Sequence, residues 1–149
     1  MRIISKRVSR NVPKIIPKSR EWITIIYCVN AIGSSIPTFY LFKGKKQLKN
    51  YVHNCEPGAC MVAHPHAWMT KELFLNWLCH FVAFVPGSVS FENRRLLILD
   101  GHGSHMVAQA IEDANHLGID LLILPYPTTH KLQPLDASVL GPFKNYFRE

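Results

Sequence analysis

"LLILDGHGSH", residues 96–105, decides how this chain is read. Four apolar residues run without a break into Asp100, and two glycines and two histidines follow within five positions. A short apolar run closed by a glycine turn predicts a strand buried in a sheet. Asp100 then stands at the carboxyl end of that strand. It is either a turn residue, a common role for Asp before Gly, or a carboxylate placed where α/β sheets gather their ligands.

The flanking sequence supports a βαβ unit. "SHMVAQAIEDANHLG" (104–118) predicts a helix with Ser104 as N-cap and Gly118 as its stop. "IDLLILP" (119–125) predicts a second buried strand, and strand–helix–strand at such short spacing predicts parallel pairing. The second strand leads into "LPYPTTHKLQPLD" (124–136), stiffened by Pro125, Pro127 and Pro134. That segment delivers Asp136 to the start of a last helix beginning near Leu135, with a kink at Pro142. Two carboxylates brought together there would repel unless a divalent cation lay between them, and hard oxygen donors favour Mg²⁺ or Mn²⁺.

Upstream, "WITIIYCVN" (22–30) and "PTFYLFKG" (37–44) predict an antiparallel hairpin around a Gly-Ser loop. The uncharged stretch 22–42 is not a membrane span, because Asn, Gly, two Ser and Pro occupy its middle. Residues 45–67 show no periodicity and read as loop. "TKELFLNWLCHFVAFV" (70–85) predicts a helix capped by Thr70 and ended by Pro86-Gly87, its aromatic stripe facing the core. The fold class is α/β, a mixed sheet flanked by helices.

The net charge of +7 is unevenly placed. Residues 1–20 hold seven Lys and Arg and no acid, and a second basic run is Lys43, Lys45, Lys46 and Lys49. Such patches suit a polyanion, DNA above all, although a solvated basic face is the plainer reading. Cys28, Cys55, Cys60 and Cys79 form no CxxC pair, and no apolar signal segment follows the basic start. They read as reduced thiols of an intracellular protein. A zinc site from Cys55, Cys60, His64 and His66 matches no zinc-module spacing. Ser104 lacks the nucleophile-elbow pattern.

"LLILDGHGSH" followed by "LPYPTTHKLQPLDASVLGPFK" (124–144) resembles the second and third acidic motifs of DDE superfamily endonucleases, in the pogo/Tigger/Jerky-like transposase branch. "REWITIIYCVNAIGSSIPTFYLFKGK" (20–45) resembles that family's strand pair, and "AHPHAWMTKELFLNWLCHFV" (63–82) its following helix. The resemblance runs from Ser19 to the C-terminus, which divides the chain into a basic segment, 1–18, and a partial DDE-type domain, 19–149.

The resemblance implies an RNase H-like fold, a nuclear location, DNA as partner, and Mg²⁺ or Mn²⁺ held by Asp100 and Asp136. Lys43, Lys45, Lys46 and Lys131 are the expected DNA contacts. His102, His105, His130 and Gln133 are expected on the rim of the site. A homo-oligomer is a further expectation, and a membrane partner is not. The family's first acidic motif, on the central strand, has no counterpart here, since no acid precedes Glu21. That strand is expected to be missing or replaced by "MRIISKRV", and catalysis to be impaired. The alternative is a DNA-binding remnant with no catalysis.

Overall fold

In a computed structural model, the structure describes residues 23–45, 54–101, 108–125, 133, 135 and 139–146. Its strands are β1 (Ile23–Ile26), β2 (Phe39–Lys43), β3 (Cys60–His64), β4 (Arg95–Leu99) and β5 (Ile119–Ile123). Its helices are α1 (Lys71–Phe84), α2 (Ala108–His116) and α3 (Gly141–Tyr146). The strands form two sheets, one ordered β1-β2-β3 and one pairing β4 with β5.

The expected hairpin is present but shorter. β1 runs antiparallel to β2, with Ile23 opposite Phe42 and Ile26 opposite Phe39. Asn30 shapes the loop, its side-chain oxygen accepting from the amides of Ile32 and Ser34 at 3.2 and 2.9 Å. β3 corrects the reading of 45–67 as loop throughout. It pairs parallel to β2, Phe39 opposite Cys60 and Lys43 opposite His64. "CMVAH" is too short to declare a period, and pairing with the edge of β2 supplies what propensity does not.

Glu56 ties the approach to β3 onto β2. Its carboxylate accepts from the Thr38 amide at 2.7 Å, and the Cys60 amide donates to the Thr38 carbonyl at 3.0 Å. Hydrogen bonding from the Thr38 side chain, then from its backbone, holds the Glu56 carboxyl below the usual carboxylate range. A depressed folded pKa gives a contribution that is present above the unfolded value, about 4.3, and lost as pH falls through the folded one. The melting temperature of Glu56→Gln is therefore expected to fall less than that of the wild type between about pH 5 and pH 3. Parallel acid limbs in thermal melts would remove this role.

α1 begins where its cap is. The Thr70 hydroxyl accepts from the Leu73 amide at 3.3 Å. The helix ends with the Val85 amide on the Phe81 carbonyl, just before Pro86-Gly87. Its buried stripe is Leu73, Phe74, Trp77, Leu78, His80 and Phe81. His80 is a polar member of that stripe, and its Nε2 lies 2.7 Å from the Pro37 carbonyl oxygen. A buried polar ring is tolerated because it has this partner.

One core joins both sheets. Phe39 and Leu41 of β2, the α1 stripe, Leu97 and Leu99 of β4, Ala110 and Ala114 of α2, and Ile119 of β5 form a single buried cluster. β4 and β5 are parallel, as the βαβ spacing predicts, with Arg95 opposite Ile119 and Leu99 opposite Ile123. The reading of these runs as buried strands holds for one face. Leu97 and Leu99 are buried, but Leu96 is 65% and Ile98 51% exposed. Side chains alternate across a strand, and α1 and α2 cover one face only.

The structure is mixed α/β; among the described residues the strands form two sheets, and no strand pairs with the outer edge of β1 or of β4. α3 places Pro142 at its second position, after a wider turn at residues 139–140. Leu135 is helical as well, and a widened turn beside a proline is a usual cause of a helix kink.

Candidate functional site

Asp100 directly follows β4 and is half-buried. The ladder continues one step past the named strands, since the Leu124 amide donates to the Leu99 carbonyl at 2.8 Å. Leu124 and Pro125 therefore leave the sheet beside Asp100, at the carboxyl end of a parallel pair. This is the strand-end placement where open sheets bind ligands. The opposite end of the pair is clasped by Arg94, whose guanidinium donates to both Asp120 oxygens at 2.9 and 2.6 Å and to Asn115 at 3.0 Å. The Arg94 hydrogen bonds hold the Asp120 carboxyl below its usual range.

Of the other residues expected at this site, Gln133 is half-buried. Asp136, His102, His105, His130 and Lys131 lie outside the described residues, as does the Ser104 N-cap. Among the described residues no three His, Cys, Asp or Glu side chains gather to hold a metal ion. The donor that is described, the Asp100 carboxylate, has hard-oxygen chemistry suited to Mg²⁺ or Mn²⁺.

The basic residues expected to meet DNA sit elsewhere in the fold. Lys43 and Lys45 are exposed at the carboxyl end of β2, and Lys46 lies outside the described residues. Lys43 is level with His64 of β3, and the Gly44 amide donates to the His64 carbonyl at 3.0 Å. The chain leaving β3 forms a row of rings. His64 and His66 have centroids 6.1 Å apart, and His66 and Trp68 6.4 Å. His64 Nδ1 is buried and has no hydrogen-bond partner among the described residues.

The sequence reading weighed these histidines only as zinc ligands with Cys55 and Cys60, and passed over Trp68. All four cysteines are free thiols. The missed signal was the short spacing of rings in "HPHAW", beside lysines that are distant in sequence.

Comparison with known proteins bears on this arrangement. Residues 19–149 match the family model described as DDE superfamily endonuclease. The chain is 37% identical over 143 residues to a Cochliobolus lunatus protein named MFS-type transporter clz9, covering 94% of this chain and 16% of that protein. It is 27% identical over 128 residues to the mouse and human proteins named Pogo transposable element with KRAB domain, covering 85% of this chain and 20% of each. The chain thus spans a fifth or less of the length of these relatives. No solved structure matches it. Among the described residues no helix is long and apolar enough to cross a membrane.

Proposed function

This chain belongs to the DDE superfamily endonucleases, and from that premise we propose that it is a transposase-derived domain that binds DNA and is impaired in cutting it. The observation that carries the reading is the position of Asp100. It stands at the carboxyl end of β4, where the parallel neighbour β5 exits toward the proline-rich segment and Asp136. We assign Asp100 and Asp136 as two carboxylates of a metal site. The DDE superfamily is generally divalent-metal dependent. A bound Mg²⁺ or Mn²⁺ would stabilise charge on a phosphodiester and acidify an attacking water.

The chain's own contribution is to hold Asp100 on a strand end braced by the core. Two carboxylates do not complete the three-acid set, and residues 1–20 contain none. Positioning of the metal is the protein's main catalytic contribution, so the 149 residues by themselves are expected to cleave poorly.

The fold reading is an RNase H-like domain over residues 19–149 preceded by a basic segment, 1–18. On this reading the two sheets are parts of one RNase H-like sheet whose central strand, between β1 and β4, is missing or replaced. The outer edges of β1 and β4, which no described strand pairs, and the shared core support this. Lys43, Lys45, Lys46 and Lys131 supply phosphate contacts, with His102, His105, His130 and Gln133 near the carboxylates. A nuclear location and self-association follow the same descent. The transporter name belongs to a protein of which this chain covers 16%, and it is not carried over.

Duplex binding measured by fluorescence anisotropy is expected to weaken linearly in log–log form with salt. Lys43→Glu with Lys45→Glu should flatten the slope, by about 0.9 for each phosphate that is no longer neutralised. A salt-independent affinity would overturn the DNA reading. With supercoiled plasmid and Mn²⁺, no nicking attributable to the site is expected. Nicking abolished by both Asp100→Ala and Asp136→Ala would overturn the impairment and retain the metal assignment.

A further inference from the structure

We propose that Trp68, with His66 and the lysines at the end of β2 and the start of α1, is a stacking platform for an unpaired base of single-stranded nucleic acid. The inference deepens the DNA-binding reading above and rests on it. Trp68 is 73% exposed, whereas Trp77 is buried in the core. An indole left in water forgoes the burial that makes it valuable in a fold, while most of its apolar surface stays available to a partner. It is also not an isolated ring, since the His66 ring lies against it and the His64 ring follows, their planes inclined at 51° and 64°.

The turn that presents Trp68 is built rather than loose. Ala67 is fully buried at a φ of 54°, a left-handed conformation that residues with a Cβ rarely adopt. Its amide donates to the His64 carbonyl at 3.1 Å, and its carbonyl accepts from the Thr24 hydroxyl at 2.6 Å. With Ala67 anchored inward, the next residue is carried outward. Backbone strain held in place next to an exposed aromatic ring is a pattern found at ligand-binding positions.

Charge complementarity names the occupant. Lys43 and Lys45 are exposed at the end of β2, level with and just beyond His64, and exposed Lys71 opens α1 three residues after Trp68. Glu72 also lies here, and its carboxyl is engaged first by its own backbone amide and then by the Thr70 hydroxyl. Three exposed lysines against one carboxylate leave this end of the sheet cationic on balance, which suits a ligand that carries phosphates and flat rings together. Stacking tolerates any base and lysines follow the backbone, which is the recognition used for single strands. Within a duplex the base faces are already stacked, so the platform takes an unpaired or extruded base.

The test compares Trp68→Ala, Trp68→Phe and the wild-type chain on labelled dT₁₅ and on an abasic oligomer of the same length and charge. Trp68→Ala is expected to weaken dT₁₅ binding about tenfold or more and to change abasic binding less than about twofold. Trp68→Phe is expected to recover most of the loss. Because the indole is exposed, an unchanged melting temperature should accompany the substitution. Equal loss on both oligomers, or dT₁₅ affinities within twofold of wild type, overturns the platform. If duplex binding remains salt-dependent in that case, the DNA-binding reading survives it. Absence of binding to any of the three nucleic acids overturns both.

Discussion

Phe74→Ala is expected to lower the unfolding free energy by about 3–5 kcal/mol in equilibrium urea denaturation. Phe74 lies in the first turns of α1 and is 1% exposed. Its ring stacks on Trp77 at 5.9 Å with the planes 19° apart, and Trp77 in turn meets Phe81 at 5.9 Å. Truncation removes the apolar area of a whole ring and leaves a cavity that a stacked row cannot close by a side-chain shift. Domains of this size are stable by about 5–15 kcal/mol, so the loss is a large fraction of the total. Phe74→Leu keeps most of the volume and is expected to cost about 1–2 kcal/mol. Ile32→Ala, at an exposed loop position, should stay within about 0.5 kcal/mol. Similar midpoints for the two Phe74 variants would show that α1 does not organise the core.

Gly118→Ala is expected to cost about 2–4 kcal/mol, more than an ordinary glycine in a turn. Gly118 follows α2 at a φ of 78° and receives β5 from the helix, its carbonyl accepting from the Arg95 amide at 3.0 Å. A Cβ there would stand 2.6 Å from the Ser90 carbonyl oxygen and 2.8 Å from its carbon. Both are backbone atoms, and Ser90 is itself held in an exchange of amide–carbonyl bonds with Asn93 at 3.2 Å. The collision can therefore be relieved only by moving the entry to β4 or the exit of α2. Gly33→Ala separates the two causes. Gly33 has a similar φ of 86° with nothing within 4 Å of the added carbon, so its cost is the conformational part alone, about 1 kcal/mol. Equal costs at the two positions would mean that the close approach to Ser90 carries no energy.

Legibility followed the range of the interactions. The α1 boundaries were readable because Thr70 and Pro86-Gly87 act on their own neighbours, and the stripe between them repeats at helical spacing. The parallel β4–β5 pair was readable for the same reason, since a short helix between two apolar runs leaves little topological choice. β3 was not readable, because its five residues become a strand only against the edge of β2. The exposure of Leu96 and Ile98 was likewise hidden, since an apolar run does not say how many of its faces will be covered.

The site divides in the same way. By itself the sequence determined that a carboxylate closes an apolar strand at Asp100, that a proline-rich segment precedes a second at Asp136, and that these motifs resemble a nuclease family. All of this is local pattern and chain order. Only the tertiary structure decided that Leu124 and Pro125 leave the sheet beside Asp100, and that the described strands pack around one core. It also decided that Lys43 lies level with His64, and that Trp68, after a buried Ala67 at positive φ, is left exposed. Those facts depend on strand register and on a left-handed turn locked by Thr24, 43 residues away in sequence. Contacts of that separation leave no periodic trace in the chain, so they exist only once it has folded.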